Sequence, residues 1–288
     1  MSSHRRERDS TPGGRHGHRT AESADGHGGT AVSVGTDRDG RGHILSELGL
    51  SAVEAGEELH GTAEVTPHMH APGTPHLRTS VLAAWADNLT GLLAARVMNP
   101  RVPVTIELDV HLYAPGPAAG TVRGIARTVK AGRSIFVAGV DFVSGDGEPV
   151  AMAAGSFMLA PDPAVRLPAR LSIDAPPPRR RLAVPLAERA GCRRGEPGTA
   201  VLHRSEDGLN SSRTVHGGLL ALVAEEAALS LAPGDTVASL GLRYLQPVRV
   251  GPVVATAHLG GGLGRAVLRD SGSDDRLSVI ATIRTFGR

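Results

Sequence analysis

Two stretches of the chain, residues 78–97 (RTSVLAAWADNLTGLLAARV) and 216–231 (HGGLLALVAEEAALSL), carry apolar or small residues on almost every face of a 3.6-residue repeat. The pattern predicts two helices that are buried all round rather than on one stripe. After each helix the period changes to two. Segments 104–117, 121–130, 134–143 and 149–159 follow the first, and 236–252, 253–259, 265–270 and 277–286 follow the second. Gly-, Pro- and Asp-rich turns separate them, as expected of antiparallel strands. A helix apolar on every side, such as LLALVA at 219–224, needs a sheet curled around it.

The two halves look like copies of one another. Pro115 and Pro247 stand 132 residues apart, as do the pairs Gly132-Arg133 and Gly264-Arg265. Asp87 and Glu225 are 138 apart, so the first copy holds six extra residues between helix and strand, around MNPRVP. Such self-similarity indicates a duplicated unit. Residues 1–42 are mostly Arg, Gly, His, Ser and Asp and are expected to form a disordered tail, in which His4, His16, His18 and His27 could bind metal only adventitiously. Prolines and arginines mark a linker over 161–185. The expected units are therefore 43–160 and 186–288.

Composition narrows the chemistry a little. The chain has 288 residues, 40% apolar but only 2% aromatic, so its core must be Ala, Val and Leu. Lys130 is the sole lysine among 31 basic residues, and 29 acidic residues leave a formal charge of +2. That balance gives no reason to expect nucleic-acid binding. Cys192 is the only cysteine, which rules out an internal disulfide. No apolar run is long enough to span a membrane, and the polar N-terminus has no signal core, so a cytoplasmic protein is the default expectation.

The stretch 210–230 (NSSRTVHGGLLALVAEEAALS) holds the candidate chemistry. Asn210, the triplet His216-Gly217-Gly218 and the acid Glu225, with LRYLQPV downstream, resemble hot-dog thioesterases of the phenylacetate-degradation (PaaI-like) type. The resemblance implies an α+β double hot-dog, each unit a long helix wrapped by an antiparallel sheet. It also implies hydrolysis of acyl-CoA, no metal or other cofactor, and a double unit that could pair further as a homodimer.

Elementary chemistry agrees with that reading. The first turn of a helix offers unpaired N–H groups and a positive dipole end, and glycines there let a carbonyl approach the backbone. The amide of Gly217 or Gly218 could hold a thioester oxyanion, with Asn210 adding its side-chain amide. Glu225 lies seven residues beyond Gly218, about 10.5 Å along the helix at 1.5 Å per residue. That is too far for a carboxylate that must come within about 3 Å of its water. If the two helices run antiparallel, the acid for Gly217 comes instead from the other copy, at Asp87. Its apolar neighbours would raise its pKa.

Glu225 then faces Arg78, Thr79 and Ser80, a second composite site that lacks both glycines. Ser239 and Glu107, at equivalent strand positions, are where the resemblance implies a polar residue assisting the acid. The hydroxyl implied two residues earlier is Thr105 in the first copy but Val237 in the second. His216, Arg78 and Thr79 are expected about the substrate, although the His216 ring has no evident acid–base task. His68, His70 and His76 read as loop histidines rather than a metal site, and GGGLGR at 260–265 as a hairpin turn rather than a phosphate loop. Arg133, Arg243, Arg249 and Arg265 could meet CoA phosphates or merely be solvated. The other readings are a non-catalytic acyl-CoA-binding or regulatory module, and a hydratase, which would need a histidine paired with Asp87.

Overall fold

Residues 30–31, 43–168, 176, 178 and 180–287 are described by the structure, a computed structural model. The four histidines of the N-terminal tail lie outside this range, as does most of the stretch expected to be disordered. Within that stretch Thr30–Ala31 (β1) pairs with the strand at Thr105 and Val104.

In the first half, β2 (Ser51–Ala55) and β3 (Glu58–Val65) precede a long helix, α1 (Thr79–Met98). It is followed by β4 (Pro103–Leu112), β5 (Gly120–Ala131), β6 (Ile135–Ser144) and β7 (Pro149–Leu159). In the second half, a short helix α2 (Leu186–Ala190), β8 (Cys192–Arg194) and β9 (Thr199–Leu202) precede α3 (Gly217–Leu229). Then come β10 (Thr236–Tyr244), β11 (Val253–Gly260), β12 (Leu263–Asp270) and β13 (Arg276–Phe286). Both long helices and the eight strands after them were legible as periodic segments. The short strands ahead of each helix were not, because three to eight residues with few branched side chains carry little period-two signal.

The strands form one antiparallel sheet in the order β2-β3-β5-β6-β7-β4-β10-β13-β12-β11-β9-β8. Read outward from its centre, each half runs through its strands in the same sequence. The seam is β4 against β10, where Asp109 pairs with Gly241, Glu107 with Arg243 and His111 with Ser239. An offset of 132 carries Asp109 onto its own partner, so a local twofold axis passes through that pair.

The core lies between the sheet and the two helices, with α1 resting on strands of the first half and on β10, and α3 on strands of the second half. The helices cross antiparallel, so that Thr79 at the start of α1 meets Glu225, while Asp87 in mid-helix meets Gly217 at the start of α3. Close approach here requires a residue without a side chain. A Cβ on Gly218 would lie 2.8 Å from both Ala84 Cβ and Leu45 Cδ1. Gly261 and Gly262, both at positive φ, form the two-residue hairpin loop between β11 and β12, as the sequence suggested for GGGLGR.

The Gly218 contact makes a stability prediction. Gly218→Ala should lower stability by about 1–3 kcal/mol through overpacking of the helix crossing, outweighing alanine's better helix propensity. A thermal melt of the full-length variant would read this as a lower Tm.

Candidate active site

The helix crossing builds two junctions of unlike character, each joining a helix start to a carboxylate from the other half.

At the first junction His216 caps α3. Its Nδ1 accepts a hydrogen bond from Gly218 N at 3.1 Å, an N-cap made by an imidazole instead of the usual hydroxyl or carboxylate. The Gly218 amide is therefore committed. The Gly217 N–H is the one left over, with no acceptor among the described residues. Asp87 faces this residue. A Cβ on Gly217 would lie 3.2 Å from Asp87 Oδ2 and 3.1 Å from the Tyr244 hydroxyl. Thr105 Oγ1 donates to Asp87 Oδ1 at 2.8 Å, and the Tyr244 hydroxyl donates to Gly217 O at 3.3 Å.

Asp87, His216 and Tyr244 are all nearly sealed from solvent, and this controls their charge. Burial pushes the Asp87 carboxyl up to about 6 against the opposing pull of the Thr105 hydrogen bond. Burial, aided by His43 edge-on at 5.2 Å between ring centroids, pushes the His216 imidazole down to about 3. A neutral His216 is what the cap needs, since a protonated Nδ1 could not accept from Gly218 N. Although His216 Nδ1 is 4.0 Å from Asp87 Oδ2, the contact is not an ion pair. His216 thus lies beside Asp87, but its Nδ1 is already in use by Gly218 N–H.

The second junction is filled by its own side chains. Glu225 Oε1 accepts from Thr79 N at 2.9 Å and from Ser80 N at 3.4 Å. Its Oε2 accepts from Ser80 Oγ at 2.5 Å and Arg78 Nε at 2.9 Å. Arg78, itself buried, also pairs with Glu226, which Arg194 Nε reaches from the other side at 2.6 Å. Burial opposes the Arg78 charge, but Glu225 and Glu226 outweigh it and raise its pKa further. Thr79 Oγ1 is spent on Val237 O at 2.5 Å. Thr79 N and Ser80 N correspond to Gly217 N and Gly218 N in the first junction. A carboxylate already takes up both of these amides. Glu225, Arg78 and Thr79, expected to serve catalysis and substrate binding, are instead bound to one another. Cys192 sits beside this network, and burial, with Glu226, pushes its thiol up to about 12.

Three other expectations change. Asn210 does not aim its amide at the helix start. Its Oδ1 accepts from Ser212 N and Thr214 N, and its Nδ2 donates to Thr214 Oγ1 at 2.8 Å, so it ties the loop ahead of α3. Glu107 and Ser239 face away from the helices. Glu107 pairs with Arg243 and Ser239 bonds His111 on the outer face of the sheet. The cause is a bulge in each strand, between Thr105 and Glu107 and between Val237 and Ser239. One extra residue reverses the alternation, so Thr105 points inward while Glu107 points out.

Tyr244 lies within LRYLQPV, but nothing in the linear pattern links it to Gly217. His43 gave no signal at all. His70 and His76 bond the backbone carbonyls of Ala118 and Gly116, and no metal-ligand cluster occurs among the described residues. Arg133, Arg249 and Arg265 are exposed, and Arg243, half exposed, is engaged by Glu107 and Asp109. No helix among the described residues is long and apolar enough to cross a membrane.

The architecture has relatives among solved structures. Residues 76–151 match the family model described as Thioesterase superfamily. No curated protein matches the chain in sequence. An acyl-ACP thioesterase from Bacteroides thetaiotaomicron is 13% identical at a TM-score of 0.56, over 79% of this chain and 98% of that one. The 12:0-ACP thioesterase from Umbellularia californica is 10% identical at 0.56, over 82% and 100%. A protein of Alicyclobacillus acidocaldarius described as having a hot dog fold is 18% identical at 0.53, over 85% and 98%. The fold is a hot-dog fold. At such identities the likeness extends to the fold alone, so what the site does must be argued from its own residues.

Two stability predictions follow from the unlike junctions. A carboxyl whose pKa is raised on folding stabilises relative to its ionised form below pH 4 and loses that contribution as pH climbs through about 6. Asp87→Asn should therefore raise stability by about 2–3 kcal/mol at pH 8 and leave it nearly unchanged at pH 3.5, compared by melts at the two pH values. Arg78→Met should cost about 3–5 kcal/mol, since it strands a buried carboxylate. Chemical denaturation at pH 7 would measure it.

Proposed function

We propose that the chain is a tandem double hot-dog of the PaaI-like type that hydrolyses acyl-CoA thioesters at a single composite site, the junction of Asp87 with the start of α3. The observation that carries this reading is the pairing of a buried, raised-pKa carboxyl with an unengaged helix-terminal amide, Asp87 beside Gly217. In this reading the thioester carbonyl oxygen accepts from Gly217 N–H, where the α3 dipole adds to the stabilisation of developing charge. Asp87 removes a proton from water as the water oxygen bonds to the carbonyl carbon. Collapse of the tetrahedral intermediate breaks the C–S bond, and Asp87 returns the proton to the departing thiolate. Thr105 orients Asp87 through Oδ1 and leaves Oδ2 for the water.

The acidity of Asp87 suits the task. A base near 6 is largely ionised at neutral pH yet takes a proton more readily than an ordinary carboxylate. The hydratase reading is disfavoured because His216 Nδ1 is held by Gly218 N and cannot also carry a proton toward Asp87. The saturated second junction is the feature that a non-catalytic acyl-CoA-binding module would share.

Release of free thiol from a panel of acyl-CoAs, with acylated carrier protein as a parallel arm, tests the proposal. Turnover should rise with pH through about 6, and Asp87→Asn should lower kcat by a factor of about 10²–10⁴. Binding of acyl-CoA without thiol release by the wild type would instead indicate a binding module. Full activity of Asp87→Asn would overturn the assignment of the base.

A further inference from the structure

Gly217 and the side chains of Asp87, Thr105 and Tyr244 are all buried, so a substrate carbonyl reaches the start of α3 only if some covering element gives way. The sheet beneath the junction offers one. β4 and β10 pair only from His111 against Ser239 to Glu107 against Arg243. Tyr244 then pairs with Val279, and Leu245 N donates to Ser278 O, so β10 follows β13 and leaves β4. Beyond the parting, β7 holds one edge of β4, with Phe157 opposite Thr105 and Met158 opposite Val104. β1 takes the other edge, on the seam side, with Thr30 opposite Thr105 and Ala31 opposite Val104. It lies one strand spacing, about 4.8 Å, from the residue that orients Asp87. The other half has no counterpart. An offset of 132 carries Thr105 onto Val237, which among the described residues pairs only with Thr285 and whose carbonyl accepts from Thr79 Oγ1. The extra strand thus stands only at the junction whose helix-start amide is free. Its sequence is distinctive too. TAVSV at 30–34 alternates Thr30, Val32 and Val34, and those valines are the only branched apolar residues in 1–42.

An extended arm that carries amides can take the hydrogen bonds of a free strand edge, as a peptide does in strand addition. The pantetheine arm of an acyl-CoA is such an arm. Building on the thioesterase reading above, we infer that β1 is an autoinhibitory strap, a piece of the chain's own backbone that holds the β4 edge beside Asp87 against the arm of the substrate. A strand of two residues is the covering most easily lifted, whereas α1, α3, β4 and β10 all contribute to the core. His43 is 12 residues beyond Ala31, a span of up to about 40 Å when extended, so the strap can leave without pulling on the core. Substrate affinity is then reduced by the fraction of molecules whose strap is in place.

Proline has no N–H to give a neighbouring strand, so Thr30→Pro with Ala31→Pro in the full-length chain should release the strap. With the acyl-CoA that this variant turns over fastest, kcat/KM should stand about threefold to thirtyfold above wild type, the gain residing in KM. Affinity for a non-hydrolysable thioether analogue of that acyl-CoA should rise by the same factor. A kcat/KM and an analogue affinity both within about twofold of wild type overturn the inference and leave the thioesterase reading intact. So does weaker analogue binding, or a variant that melts below the assay temperature, since each makes β1 part of the site or of the fold. If neither protein releases thiol, the thioesterase reading falls, and analogue affinity alone decides whether β1 is a strap.

Discussion

Everything at the centre of this protein depends on two helices crossing antiparallel, closely enough that each one's first turn touches the other's middle. Gly218 against Ala84 sets the distance. The apolar character of both helices on nearly all faces makes the crossing possible, because each can be packed by the sheet on one side and its partner on the other. A carboxylate on either helix is then delivered to the positive end of the other. The sheet's local twofold at Asp109 and Gly241 ensures that this happens twice.

The two deliveries end differently for simple chemical reasons. Glu225 is one methylene longer than Asp87. It reaches the backbone amides of Thr79 and Ser80, where Arg78 and the Ser80 hydroxyl complete its hydrogen bonds. Asp87 stops short of the equivalent amides. His216 takes one of them, and the other stays free. The first arrangement satisfies a buried charge. The second leaves a buried carboxyl short of donors, its pKa raised toward 6 by the cost of ionising away from water. Under-satisfaction of this kind is a liability for stability and a resource for proton transfer.

Much of the fold was legible from periodicity alone. The helices and the eight strands after them announce themselves by their spacing, and the offset of 132 relates strands that take matching places in the sheet order. The pairing of Asp87 with Gly217 follows from counting along one helix and assuming an antiparallel partner. The remainder of the site resisted the same treatment. A bulge near Thr105 reversed which strand residues face the helices, and alternation rules cannot detect an extra residue that carries no turn signal. Asn210 was misjudged because a short amide can close its own loop as readily as it can meet a ligand.

The sequence by itself therefore determined the elements and the residue types available for chemistry, since these depend on local periodicity and composition. Only the tertiary structure decided which of two similar helix starts remained available. That choice rests on differences of about one bond length, between an aspartate and a glutamate, and between a neutral imidazole cap at His216 and an arginine at Arg78. Distances on that scale come from how the helices pack and how completely water is excluded, and a linear pattern records neither.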